Sequence, residues 1–199
     1  FVDPAAYGGW NGQLSGCIND ANSMQSIAQS LSYQTTLLTD GQATSHRVLQ
    51  ELSNASRQLQ SGDIFFVSYS GHGGQVPDAN SDEADAMDET WVLYDREIVD
   101  DELYSIWSQF APGVRIIVVS DSCHSGTVTK AQFAQDTMAA RQARRAREMP
   151  EQYAVREVGE NPEDKPRAMP LEVQNYVNET ARSMYDQVQY IAGPGRNAS

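Results

Sequence analysis

"DIFFVSYSGHGG" occupies residues 63–74. Its first eight residues, 63–70, make a mostly apolar run of strand length, closed by glycines on either side of His72. Such a run reads as a strand of a parallel sheet covered on both faces. A second stretch has the same form. "VRIIVVS" (114–120) leads into "DSCHSG" (121–126), and Cys123 lies three residues past the run. Around these two strands the chain alternates. "NDANSMQSIAQSLS" (19–32) has helical spacing, with Asn19 or Asp20 placed to cap it. "YQTTLLT" (33–39) reads as a strand. "TSHRVLQELSNASRQLQ" (44–60) is an amphipathic helix with Val48, Leu49, Leu52 and Leu59 on one side. "ETWVLYD" (89–95) reads as a short strand or β-ribbon, and "DDELYSIWSQF" (100–110) as a helix whose first-turn acids suit its dipole. This order predicts an α/β fold, a mostly parallel central sheet between two layers of helices.

In such sheets, reactive groups collect beyond the C-terminal ends of the strands. His72 and Cys123 follow two equivalent strand ends, which would bring an imidazole and a thiol to one edge. That is an arrangement for nucleophilic catalysis. Taken alone, Cys123 reads equally well as a small buried hydrophobe, and His72 as a structural residue. Their shared setting favours the catalytic reading. The flanking glycines permit tight bends and close approach of a substrate chain, and their amides can face a developing oxyanion. His124 points away from its neighbour Cys123 in extended backbone, so it is expected to be structural. His46 is expected on a helix surface, and Cys17 just before a helix and packed against it.

The 199 residues are 40% hydrophobic, enough for one domain with a core. Residues 1–129 carry 17 Asp and Glu against four Lys and Arg, and residues 130–199 carry ten of each. The excess negative charge therefore sits with the candidate site. Nucleic acid is an unsuitable partner for that surface, and a cationic substrate or metal ion suits it. The plainer alternative is that the acids serve solubility. No apolar run approaches the ~20 residues that span a bilayer, and no charged-then-apolar leader opens the sequence. Two cysteines are too few for a disulfide framework, so a reducing, cytoplasmic setting is expected, though one disulfide could form if the two met in space; a monomer is expected separately.

"YSGHGG" and "DSCHSG", about fifty residues apart, resemble the His and Cys motifs of caspase-like cysteine peptidases. Among these the chain is most similar to metacaspases, and in particular to the short prokaryotic orthocaspases. "GCINDA" (16–21), "DETWVLYD" (88–95) and "IVDDEL" (98–103) resemble further metacaspase blocks in the right order. The resemblance runs from residue 7 to about 130. It implies a caspase-like three-layer α/β/α sandwich and cleavage after Arg or Lys, where caspases cut after Asp. It implies Cys123 as nucleophile, His72 as general base and acid, and the amides of Gly73 and Cys123 as oxyanion donors. It also implies that Asp20, Ser70 and Asp121 line the primary specificity pocket. Carboxylates in a dry cleft favour a guanidinium, which they can bind in bidentate fashion.

Two departures shape the remaining expectations. Many metacaspases bind calcium through acids, one of them seven positions after the nucleophile. Here Lys130 stands there, offering no acceptor and repelling a cation. Asp100 and Asp101 match two other ligand positions, and Asp85 or Asp88 a third. The expectation is therefore a reaction without a required cofactor. The family's flanking strands are also not evident, so the sequence divides into a catalytic core, the large-subunit equivalent, at 1–129, and a linker and helical segment at 130–199 leading towards a further C-terminal part. "RQARRAR" (141–147) offers Arg141, Arg144, Arg145 and Arg147 as self-processing sites in an exposed tract. Two alternatives remain. One is a caspase-like regulator or scaffold that binds peptides without cutting them, disfavoured by intact Cys123 and His72. The other is a calcium module at 78–102, where eleven acids face only Arg96 but no EF-hand spacing appears.

Overall fold

The computed structural model describes residues 1–80, 86–122 and 167–193. Along the chain run α1 (Cys17–Ser30), α2 (Ser45–Gln58), β1 (Ile64–Ser70), β2 (Gly73–Pro77), β3 (Met87–Val92), β4 (Glu97–Val99), α3 (Asp100–Trp107), β5 (Arg115–Asp121), α4 (Leu171–Thr180) and α5 (Arg182–Ala192).

β1 and β5 pair in parallel, in register from Ile64 opposite Arg115 to Ser70 opposite Asp121. Their C-terminal ends are therefore level. Alternation along β1 divides its neighbours. Phe65, Val67 and Tyr69, with Ile116 of β5, pack on Leu52 of α2 and Leu103 and Ile106 of α3. On the opposite face the Phe66 ring meets Tyr33 at 6.5 Å, and the Ser70 hydroxyl donates to Asp20 of α1 at 3.1 Å. Helices thus lie on both sides of β1, as the alternating sequence predicts. α2 starts where Thr44 accepts from the Arg47 amide, and Asp95 accepts from both the amide and the hydroxyl of Ser45. α3 starts where Glu102 reaches back to the Val99 amide while holding Arg96 through two bonds of 2.8 Å.

β2, β3 and β4 form a separate antiparallel sheet in that order. Among the described residues its outer edge, β2, is met by side chains instead of another full strand. Gln174 of α4 accepts from the Gln75 amide and donates to the Gln75 carbonyl. Gln189 of α5 does the same for the Ala79 amide and the Pro77 carbonyl. Both glutamines are buried, so every amide face is used where no water can substitute. Beneath them Val76, Val92 and Val99 pack with Met169, Val173, Val177 and Tyr185, which docks α4 and α5 onto the core.

Four expectations need correction. Residues 33–39 form no strand: they pair with no strand among the described residues and run beside α1. β5 is not buried on both faces. Ile117, Val118 and Val119 are 45%, 43% and 40% exposed, because β1 is its one strand partner among the described residues. α1 begins after Gly16, so Asp20 lies in the first turn rather than capping it, and Cys17 is the first residue of the helix rather than preceding it. His46 is exposed on α2, as its spacing predicts. Cys123, His124, Asp85, Lys130 and Arg141, Arg144, Arg145 and Arg147 lie outside the described residues.

Candidate active site

The level ends of β1 and β5 bring Ser70 and Asp121 side by side, and the sheet ladder continues one step as the Gly71 amide donates to the Asp121 carbonyl at 3.4 Å. The chain then turns through Gly71 and His72 into β2. Gly71 is required for close approach, because a Cβ there would come within 2.5 Å of the Tyr69 hydroxyl. That hydroxyl lies 2.7 Å from the His72 carbonyl and 2.9 Å from the Val92 carbonyl. The Val92 amide also donates to the His72 carbonyl, so the backbone at His72 is held from two sides.

His72 is buried, 6% exposed, with its ring against Trp10 at a centroid distance of 4.6 Å. Nε2 lies 3.2 Å from the Gly12 carbonyl oxygen. A carbonyl only accepts, so Nε2 carries the proton and Nδ1 presents its lone pair. Nδ1 is buried and has no hydrogen-bond partner among the described residues. Burial depresses the imidazole to about 4, against the lift from the Gly12 and Ala168 carbonyls, and Arg167 lowers it further. The ring is therefore neutral at pH 7 and able to accept a proton.

Asp20, Ser70 and Asp121 converge, and an arginine that the sequence did not single out sits among them. Arg167 Nη2 donates to Asp20 Oδ2 at 2.7 Å, and Nη1 donates to Ser70 Oγ at 2.6 Å and to the Asp121 carboxylate. The Arg167 carbonyl accepts from the Gly73 amide at 2.9 Å, and the Met169 amide donates to the Gly73 carbonyl at 2.8 Å. Four of the residues expected at the site, Asp20, Ser70, Gly73 and Asp121, thus share Arg167 as their partner. No local signal marks this arginine. It lies in a charged, proline-bearing tract and finds its contacts 46 to 147 residues away.

A second cluster lies apart from this one. Asp88, Asp100 and Asp101 offer carboxylate oxygens within 4.8 Å of one another, with Asp88 and Asp101 buried. Three of the acids named as calcium candidates therefore meet at one point, where β3 passes the start of α3.

The sequence matches the family model "Metacaspase, peptidase C14 domain" over residues 5–132. It is 38% identical to metacaspase-1 of Botryotinia fuckeliana, over 66% of this chain and 35% of that protein. It is 41% identical to metacaspase-1A of Aspergillus clavatus, over 61% of this chain and 32% of that protein. The chain thus spans about a third of the length of these curated relatives. Among solved structures, a Geobacter sulfurreducens protein superimposes with a TM-score of 0.76 at 40% identity, over 97% of this chain and 63% of that one.

Proposed function

Since the chain belongs to the metacaspase peptidase C14 family, we propose that it is a cysteine endopeptidase that cleaves peptides after arginine or lysine. The observation that carries the specificity is the seating of the Arg167 guanidinium on Asp20, Ser70 and Asp121. A planar cation held by two carboxylates and a hydroxyl is what an arginine side chain requires, and what an aspartate would be repelled by.

In the proposed reaction the Cys123 thiol gives its proton to His72, and the sulfur attacks the carbonyl carbon after the arginine. The Gly73 amide, already within hydrogen-bond distance of the Arg167 carbonyl, donates to the oxyanion, joined by the Cys123 amide. His72 then passes the proton to the leaving amine, and water hydrolyses the acyl-enzyme. The Gly12 carbonyl fixes the tautomer that this sequence needs. Burial keeps the imidazole neutral at pH 7, in its accepting form.

No cofactor enters these steps. Asp88, Asp100 and Asp101 are the residues that would hold a hard divalent cation, and their all-oxygen donor set suits calcium. A cation there would supply structural cross-linking of β3 to α3. The proposal also places the enzyme in a reducing compartment, acting as a monomer on protein or peptide substrates, with self-processing within 130–170. Among the described residues no helix is long and apolar enough to cross a membrane. Fluorogenic peptides ending in Arg, Lys and Asp test the reading: turnover of the first two and not the third is expected, and equal turnover of all three would remove it.

A further inference from the structure

His72 has to become a cation during the proposed reaction, and its surroundings resist that. The ring is buried, and burial holds the imidazole down at about 4. Among the groups around it, Arg167 carries the same sign as an imidazolium, and Tyr69, whose hydroxyl lies on the His72 carbonyl, is kept neutral by burial. Each turnover nevertheless passes through an imidazolium on this ring, between uptake of the thiol proton and its delivery to the leaving amine. Something in contact with the ring has to favour the charged form. The Gly12 carbonyl at Nε2 and the Ala168 carbonyl do so in part. Trp10 offers a contribution of another kind. Its ring centroid lies 4.6 Å from that of His72, with the planes inclined at 58°. A cation within about 6 Å of an indole centroid is attracted by the ring's quadrupole, most strongly where water is excluded. Neutral imidazole gains only ordinary contact there, so the attraction belongs to the protonated form.

The indole is braced in this place. Tyr7 meets it edge-on at 6.0 Å and 75°, and Tyr7 is itself buried with its hydroxyl donating to the Leu93 carbonyl at 2.9 Å. The Trp10 amide donates to the Tyr7 carbonyl at 3.1 Å, and the Val2 amide to the Asn11 carbonyl at 2.9 Å. Gly12 bends with φ +60°, where a Cβ would come within 3.0 Å of the Val2 side chain, so this turn is open to glycine. The loop 7–12 therefore meets the imidazole twice, with a carbonyl at Nε2 and with an aromatic ring. An indole that only filled the core would lie inside the apolar cluster of Val76, Val92 and Val99. Trp10 sits half-buried at its margin, against the ring that reacts.

We propose that Trp10 is a positioning residue of the reaction, which stabilises the His72 imidazolium by a cation–π contact and so sets how far the Cys123 thiol is ionised at neutral pH. This rests on the cysteine peptidase reading above, though not on its preference for arginine. The proton balance is that of the proposed reaction: the thiol proton goes to Nδ1 of His72 and then to the leaving amine. The indole neither gives nor takes a proton. It changes the free energy of the ion pair that forms between.

Three kinds of change at Trp10 test this in the full chain. Trp10→Leu keeps apolar bulk and removes the ring, Trp10→Phe keeps a weaker ring, and tryptophans carrying successive ring fluorines, placed at this residue alone, drain the ring face of negative charge at nearly constant shape. The readouts are kcat and KM for one Arg peptide, and the rate of Cys123 alkylation by iodoacetamide against pH, followed by peptide mass. Trp10→Leu should lower kcat about tenfold and Trp10→Phe about threefold, with KM little altered, and the fluorinated series should fall stepwise. The neutral-pH alkylation rate should fall in parallel, and in Trp10→Leu it should go on rising towards the ordinary thiol value of about 8.5. Where Trp10→Leu does not fold, the fluorinated series decides. Arg-peptide turnover that is flat along that series, with an unchanged pH course of alkylation, would make Trp10 a packing residue; it would overturn the inference and leave the peptidase reading standing. A rise in KM at constant kcat would assign the indole to substrate contact and also overturn it. No turnover of Arg or Lys peptides by the unmutated chain, with Cys123 alkylated as an ordinary thiol, would overturn the peptidase reading and the inference together.

Discussion

The Tyr69 hydroxyl lies 2.7 Å from the His72 carbonyl oxygen, so the last turn of β1 ties down the residue that follows it by three positions. Tyr69 also stacks on Trp91 at 4.8 Å, whose indole N–H donates to Ser120 of β5. One half-buried tyrosine thereby links both strand ends to the backbone at His72. Tyr69→Phe should cost about 1–3 kcal/mol of stability, because the Val92 carbonyl loses a buried donor. As a positioning change it should lower kcat for an Arg peptide with KM little altered. Urea denaturation and steady-state kinetics on the same preparation measure both.

Two buried groups should shape the pH dependence of stability with opposite signs. His72 titrates near 4 when folded, below its ordinary 6.5, because burial disfavours the imidazolium. Between those values the unfolded chain binds more protons, so stability falls as pH drops from 6.5 towards 4. Glu97 has the opposite sign. Burial pushes its carboxyl from 4.5 up to about 7, against donation from Thr90 and Tyr185, so the folded chain binds more protons in that window. Its contribution is lost as pH rises from 4.5 through 7. The two contributions largely cancel between pH 4.5 and 6.5, so Glu97→Gln should remove the fall towards pH 7 and let stability rise with pH from 4 to 6.5, the His72 contribution being then unopposed. Thermal unfolding of both proteins from pH 4 to 8 reads this, and an unchanged profile in Glu97→Gln would contradict the assignment.

The fold was legible where one segment carried its own pattern. β1 and β5 announce themselves as apolar runs, α2 by the spacing of Val48, Leu49, Leu52 and Leu59, and α3 by the acids of its first turn. The metacaspase fold read from five short motifs is the fold that the family match identifies. β2 was not legible, because "GGQVP" has no apolar run and owes its partners to β3 and two distant glutamines. Residues 33–39 have strand composition without a strand neighbour among the described residues, and composition alone cannot supply one. Asp20, Ser70 and Asp121 were legible as a set only through the motif resemblance. Singly, Asp20 reads as a helix cap and Asp121 as a turn residue. Arg167 was invisible, since nothing nearby in sequence distinguishes it from the other arginines of its tract.

Removing one carboxylate from the pocket should weaken arginine recognition. Asp20 and Asp121 have side chains 43% and 61% exposed, so solvent screens each ion pair with Arg167. Asp20→Asn and Asp121→Asn should each lower kcat/KM for Arg peptides by about five- to thirtyfold, or roughly 1–2 kcal/mol. The double variant should lose more than either. A series of Arg, Lys and norleucine peptides separates loss of charge recognition from general damage, since the norleucine rate should hold.

Turnover of an Arg peptide should persist in excess EGTA, because the proposed steps use a thiol, an imidazole and backbone amides, and Lys130 offers no acceptor at a position where the family resemblance implies a calcium ligand. Any effect of calcium should appear as a rise in Tm through Asp88, Asp100 and Asp101. Asp100→Asn should abolish that rise. A large, saturable activation of the rate by calcium would contradict the expectation.

The most direct test of the account is kcat/KM for one Arg-ended peptide, measured for the unmutated chain, Cys123→Ala, His72→Ala and His124→Ala. The predicted result is turnover by the unmutated chain, its loss in Cys123→Ala and His72→Ala, and measurable activity in His124→Ala. Turnover at the unmutated level in Cys123→Ala would contradict it.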